Sequence, residues 1–147
     1  TLSWDQAETY FTAEIQKKTL PKIKLAGTVY SGAGQGKKFI ALPWVREQLI
    51  SKLGFCPYSG TLNIRLTKES LPPKKQLETI HGIVINPEKG YFSGVLIKAK
   101  INNSECYIVI PKVPNYPADV LELVAPVNLR EQLKLSDGDC VSVEVTV

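Results

Sequence analysis

The chain has no methionine, a single histidine (His81) and three cysteines (Cys56, Cys106 and Cys140) in 147 residues. Scarcity of this kind excludes several classes of chemistry. One histidine and three isolated cysteines offer none of the paired spacings of a zinc site, and an odd cysteine count offers no disulfide framework. They read as reduced thiols of a cytoplasmic protein. The longest apolar run, VLELVAPV, is far too short to span a bilayer and carries Glu122 inside it, so no membrane partner is expected. No charged-then-apolar signal is visible at the N-terminus. The lack of methionine implies a removed initiator or a piece of something longer, with a DNA-binding portion upstream as one expectation. Gly-x-Ser-x-Gly and any supportable Cys-His-Asp arrangement are missing, which argues against hydrolysis through a nucleophile. The stacking motifs of single-strand binders are missing too, and a net charge of +4 does not by itself point to nucleic acid.

What is present is ordinary for a globular chain: 44% hydrophobic and 22% charged residues, enough for one domain with its own core. SWDQAETYFTAEIQKK predicts an amphipathic helix, with Ser3 as N-cap and Trp4, Ala7, Phe11 and Ile15 at helical spacing. Pro21 ends it, so residues 1–21 are read as helix plus linker and residues 22–147 as the main domain. KIKLAGTVYSG predicts a strand leading into a glycine loop, and PWVREQLISKLG a helix opened by Pro43 and closed by Gly54. TLNIRL, HGIVIN, YFSGVLIKAKI, ECYIVIP, VLELV and CVSVEVTV read as further strands. TKESLPPKKQ reads as a polar connection, and PVNLREQL holds a short helix. Many short strands without a βαβ rhythm predict a mainly β fold, a small six-stranded barrel with few helices.

Three segments carry candidate chemistry. YSGAGQGKKF places Gly32, Gly34 and Gly36 in alternation ahead of Lys37 and Lys38. It matches neither the Walker A loop nor the dinucleotide fingerprint. It is either a mobile hairpin tip or a cradle of backbone N–H groups for an anion. In GTLNIRL, period-two alternation sends Leu62, Ile64 and Leu66 to one face and Thr61, Asn63 and Arg65 to the other. Thr61 and Asn63 thus project two neutral hard oxygens together, a pair suited to Mg²⁺ shared with substrate phosphates, or an ordinary polar strand face. A pair without a carboxylate should hold the ion weakly until a nucleotide brings its own charge. Glu122, alone among apolar neighbours, is either a solvent-facing strand residue or a polar anchor for a ligand. Arg130 is open to Glu131, Glu122 or a phosphate as partner. SDGD reads as a turn.

In order, GTVYSGAGQGKKF, LGFCPYSGTLNIRL, YIVIP and LELVAPVNLREQLKLSDGD resemble the archaeal-type CTP-dependent riboflavin kinases, from about Lys24 to the C-terminus. The resemblance implies a cradle-loop barrel that transfers the γ-phosphoryl group of CTP to the 5′-hydroxyl of riboflavin, giving FMN and CDP. It further implies that Gly32, Ala33, Gly34, Gln35, Gly36 and Lys37 close over the nucleotide, with Val127, Asn128, Leu129 and Arg130 against it. Thr61 and Asn63 would bind Mg²⁺. Glu122 would contact the flavin and is the nearest candidate for a general base. The sequence departs from the pattern twice. Pro114 stands where the family often has a flavin-contacting threonine, and Asn128 where a basic residue is common. The competing expectation is a non-catalytic flavin- or nucleotide-sensing module of a transcription regulator. Oligomeric state and the strictness of CTP preference are not written in the sequence.

Overall fold

The computed structural model describes residues 22–32 and 35–146, except for the side chains at positions 35 and 36. The helix expected over Ser3–Lys18 lies outside the described residues. Seven strands form one antiparallel sheet: β1 (Lys22–Tyr30), β2 (Leu62–Leu66), β3 (Ile83–Ile85), β4 (Gly94–Ile101), β5 (Ser104–Pro111), β6 (Val120–Val124) and β7 (Cys140–Thr146). Six of them close on themselves in the order β4-β5-β6-β2-β1-β7, because β7 also pairs with β4 through Lys100↔Glu144 and Ile101↔Val143. This is the expected six-stranded barrel. Strand β3 lies outside the ring, paired among the described residues only to β4. Closure removes the exposed edges that an open sheet would leave to aggregate.

The barrel forms because its strands alternate. Along β1 every second residue is buried, with Ile23, Leu25 and Val29 pointing inward. They meet Leu62, Ile64 and Leu66 of β2, Ile97, Ala99 and Ile101 of β4, and Val141, Val143 and Val145 of β7. Burial of one such side chain contributes roughly 1.5–3 kcal/mol. Gly27 sits where β1 and β2 come closest. A Cβ there would stand 2.2 Å from the Arg65 carbonyl oxygen, so no other residue fits without moving the backbone. The β4–β5 hairpin turns on Asn102 and Asn103, both at positive φ (46° and 66°), as a two-residue primed turn requires.

Two helices cover part of the outer surface. Helix α1 (Gln35–Ala41) and helix α2 (Pro43–Leu53) set Phe39, Ile40, Val45 and Leu49 against Ile85, Leu96, Val109 and Val124. Helix α2 runs as expected, with proline in its first turn and Gly54 at φ 79° donating its N–H to the Ile50 carbonyl. Two expectations need correction. The glycine stretch is shorter than a loop to Phe39, since α1 begins at Gln35 and absorbs Gly36, Lys37 and Lys38. TKESLPPKKQ is not mere connection either. It folds as a 3₁₀ turn (Lys68–Ser70) and helix α3 (Leu71–Gln76), and a second 3₁₀ turn (Leu77–Thr79) follows directly. Pro72 and Pro73 occupy the first helical turn, where the missing N–H costs nothing. Ser70 Oγ accepts the Ala26 N–H at 2.9 Å, and Leu77 is fully buried, so the segment is pinned to the barrel.

Strand β6 is buried along its whole length. Its inward residues, Leu121 and Leu123, join the barrel interior, while Val124 packs under the α1–α2 layer. A short helix, α4 (Leu129–Gln132), follows it. Among the cysteines, Cys106 lies in the barrel core, where burial pushes its thiol up to about 12 against a smaller opposing backbone hydrogen bond. Cys56 and Cys140 are exposed. Among the described residues no helix is long and apolar enough to cross a membrane.

Candidate functional site

The register of three strands lines up Tyr30, Asn63 and Glu122. Tyr30 pairs with Asn63 across β1–β2, and Asn63 with Glu122 across β2–β6. Since Leu62, Ile64, Leu121 and Leu123 fill the barrel, this row belongs to its outer face. Glu122 is only 1% exposed and Asn63 9%. The solvent-facing alternative for Glu122 is therefore ruled out. A carboxylate buried this deeply must have hydrogen-bond donors around it. Thr61, the residue before β2, donates its hydroxyl to Glu122 Oε1 at 3.1 Å, and Tyr116 donates its phenol to Oε2 at 2.6 Å.

The Asn63 amide completes this cluster. The Thr61 proton is already given to Glu122, so the amide turns its nitrogen inward. That nitrogen donates to Glu122 Oε1 at 2.9 Å and to Thr61 Oγ1 at 3.3 Å, while the amide oxygen accepts the Gly32 N–H at 3.2 Å. The side chains of Thr61 and Asn63 thus project together as alternation requires. A carboxylate stands beside them, which strand periodicity alone did not reveal.

A polar cleft of about 270 Å³ opens over Tyr30 and Asn63 of this row. Its walls bring together Gly32, Lys37, Thr61, Asn63, Val127, Asn128, Leu129 and Arg130, from three separate parts of the chain. Ala33 and Gly34 lie outside the described residues, and Gln35 and Gly36 enter only as backbone of α1. Tyr30, Ser31, Tyr58 and Ser59 line the same space and were not singled out from sequence. Asn128 has its side chain committed: Oδ1 caps α4 by accepting the Glu131 N–H, and Nδ2 donates to the Tyr58 hydroxyl at 3.1 Å. Burial, only partly offset by the Arg65 guanidinium over its ring, holds the Tyr30 phenol above its usual range.

Arg130 takes neither glutamate as partner. It pairs with Asp137 at 2.8 Å and reaches the Tyr30 carbonyl at 3.4 Å. Asp137 also accepts from the Ser31 hydroxyl at 3.1 and 3.0 Å. Its hydrogen bonds from Arg130 and then Ser31 hold its carboxyl below the usual carboxylate range. The SDGD turn, with Gly138 at φ 93°, therefore ties the root of the glycine segment to the arginine of α4. Sequence gave only the turn, since nothing local links Asp137 to a residue 106 positions earlier.

On the other side of Glu122 lies a larger and mainly apolar groove of about 780 Å³. Leu71, Pro72 and Leu77 form one wall, and Ile110, Val113 and Tyr116 the other. Lys74 spans the two, donating to the carbonyls of Pro117, Ala118 and Val120 at 3.3, 2.8 and 2.8 Å, with its ammonium 5.5 Å above the Tyr116 ring. Burial lowers its pKa from the usual lysine value. Burial, and then the hydrogen bond to Glu122, drives the Tyr116 phenol far above its own range, so it remains a donor. Pro114 occupies an exposed turn beside Asn115 (φ 62°) and does not line the groove, whereas Tyr116 does. Glu122 therefore touches residues of both cavities, Thr61 and Asn63 of the cleft and Tyr116 of the groove.

Comparison with known proteins places this arrangement. Riboflavin kinase of Archaeoglobus fulgidus is 46% identical over 127 residues, covering 84% of this chain and 54% of the relative. Riboflavin kinase of Pyrobaculum aerophilum is 43% identical over 130 residues, covering 86% and 62%. That of Methanosarcina acetivorans is 35% identical over 127 residues, covering 84% and 54%. The matches span little more than half the length of these relatives. A family model described as CTP-dep_RFKase, domain of unknown function DUF120, matches residues 29–145, which includes every element of the cleft and the groove except the beginning of β1. With both the model and the relatives covering most of the barrel, the chain belongs to that family.

Proposed function

We propose that this domain is a CTP-dependent riboflavin kinase, transferring the γ-phosphoryl group of CTP to the 5′-hydroxyl of riboflavin to give FMN and CDP. The observation that carries the reading is the pairing of two unlike cavities through one buried carboxylate. The polar cleft suits a nucleotide triphosphate, and the apolar groove suits a flat heteroaromatic ring. Glu122 stands where the two would meet. The names of the relatives and of the family support the same assignment.

Phosphoryl transfer asks a protein mainly for positioning and charge stabilisation, so the absence of a nucleophile is consistent with it. Arg130, held by Asp137, and Lys37 would face the phosphates. Gly32 would offer a backbone N–H, and residues 33–36 would complete the cover. Val127 and Leu129 would flank the nucleotide, as would the backbone at Asn128, whose side chain is occupied. The oxygens of Thr61 and Asn63 fit a hard divalent cation such as Mg²⁺. When bound, such an ion neutralises charge on the transferring phosphoryl group. Glu122 would orient the 5′-hydroxyl of the flavin and accept its proton as the new P–O bond forms. Tyr116 holds that carboxylate in place and supplies the groove with the polar contact that Pro114 lacks.

The test is FMN formation from riboflavin with CTP, ATP, GTP and UTP compared side by side at equal Mg²⁺. Production with CTP exceeding the others by tenfold or more supports the reading. No FMN with any nucleotide rejects it, and equal rates with all four reject the CTP preference alone.

A further inference from the structure

The spacing within the Thr61–Asn63–Glu122 cluster carries information beyond hydrogen bonding. Thr61 Oγ1 lies 3.1 Å from Glu122 Oε1. The inward atom of the Asn63 amide lies 3.3 Å from Thr61 Oγ1 and 2.9 Å from Glu122 Oε1. Oxygens bound to an octahedral Mg²⁺ at about 2.0–2.1 Å stand roughly 2.9 Å apart at adjacent vertices. The three positions are therefore already spaced close to one face of such an octahedron. Tyr116 occupies the other oxygen of Glu122, which fixes Oε1 toward the cluster. The barrel ladder fixes Asn63 directly opposite.

Without a cation, however, the donors and acceptors around the amide assign its nitrogen to the inward position, the wrong way for a cation. That orientation is enforced by the acceptors around it and by the Gly32 N–H, which takes the outward oxygen. A cation at the cluster would reverse both preferences. The oxygen would turn inward, and the nitrogen would turn outward to face another donor, the Gly32 N–H. Two donors cannot bond each other, so that N–H would have to release.

We propose that Glu122 is a third protein ligand of the divalent cation beside Thr61 and Asn63. The Asn63 amide turns over as the cation enters, which frees the Gly32 N–H at the root of the glycine segment for an anionic phosphate. Cation loading and readiness for nucleotide are thereby linked through one side chain. The proposal rests on the cation reading of Thr61 and Asn63 given above. It departs from what the sequence implied, since a carboxylate in the set lets the ion bind before any nucleotide arrives.

The test uses the full chain without nucleotide. Mn²⁺ is titrated and free ion counted by electron paramagnetic resonance, with ¹⁵N–¹H spectra recorded during a parallel Mg²⁺ titration. The parent should bind one Mn²⁺, and Glu122→Gln should weaken that binding at least tenfold while keeping the parent's circular dichroism. Glu122→Asp, which retains the charge, should recover part of the loss and serves if the glutamine variant misfolds. In the parent, Mg²⁺ should shift the Gly32 amide and the Asn63 side-chain amide together, at one midpoint. In Asn63→Asp both ends of the side chain are oxygen, so the ion should bind while the Gly32 amide stays where it was. No Mn²⁺ bound without nucleotide, or equal affinity in parent and Glu122→Gln, overturns the third ligand. A Gly32 amide unmoved at saturating Mg²⁺ overturns the turnover of Asn63. FMN formation by the parent alongside either result leaves the kinase reading standing, and intact cation binding without FMN formation rejects that reading alone.

Discussion

The polar cleft takes Tyr30, Leu62, Asn63 and Leu123 from strands whose places the barrel ladder dictates, amid loop residues and α4, whereas the apolar groove is framed chiefly by α3 and the connection from Pro111 to Val120. Tyr30 and Asn63 of the cleft, with Glu122 beside them, are set by register, and a shift of one residue would turn all of them to the other face. In the groove, order depends on individual side chains, above all Lys74 bridging to three carbonyls of the facing segment. The difference teaches where each kind of precision comes from. The row that joins the two cavities is fixed by the sheet, and the groove lies between a short helix and a loop. Variants should therefore separate the two cavities, except at the carboxylate they share.

The largest effect is expected from Asn63→Ala, which removes the amide from the cleft without disturbing the barrel interior. Turnover at limiting Mg²⁺ should fall about 10- to 100-fold, and melting should come at a somewhat lower temperature because the buried Glu122 loses a donor. Turnover equal to that of the parent at every Mg²⁺ concentration would detach the cluster from the reaction. Tyr116→Phe tests the groove side. It deletes the hydrogen bond that positions Glu122, so the KM for riboflavin should rise by up to roughly tenfold. The KM for CTP should move less than twofold, and equal rises in both would erase the division between the cavities.

Asp137→Asn should act on the cleft alone and more gently. Arg130 and Ser31 lose a charged partner that is itself exposed, so nucleotide affinity should fall only about two- to fivefold. Isothermal titration with a nucleotide and, separately, with riboflavin reads this, and weakening of riboflavin instead would misplace Arg130. The folded-state depression of the Asp137 pKa also gives a sign. Its stabilising contribution is present above the unfolded carboxylate pKa and is lost as pH falls through the folded value.

The smallest effect belongs to Lys74, and its sign is opposite in kind. Burial lowers its pKa in the folded state, so the unfolded chain holds more protons between the folded value and the usual 10.5. Stability relative to Lys74→Met should therefore rise as pH climbs through that window toward 10.5. Melting of both proteins at pH 8 and pH 10 measures the difference. A difference that shrinks with pH would mean that the ammonium contributes more through its three carbonyls than its burial costs.

Much of this fold is legible in one dimension because a strand with one face in a core must alternate. KIKLAGTVY and TLNIRL declare both their inward sides and their partners' polarity, and PWVREQLISKLG declares both its ends. VLELV was harder. It lacks alternation because it is buried on both faces, and that same fact buries Glu122 and obliges Thr61 and Tyr116 to serve it. The signal was there, in a run with no polar residue spared for solvent, but its partners lie 61 and 6 positions away. TKESLPPKKQ misled for a different reason. Its polarity suggested connection, while Leu71 and Leu77 needed only the barrel wall to make it a folded one.

By itself, then, the sequence determined the alternating strands, the turns at Asn102–Asn103 and Gly138, the capped helix α2 and the shared face of Thr61 and Asn63. Each follows from local sterics or period-two geometry. Only the tertiary structure decided that Glu122 stands beside that pair, that Asp137 holds Arg130, and that α3 makes a groove with the strand β5 exit. These depend on register and closure, which bring together residues that no local rule connects.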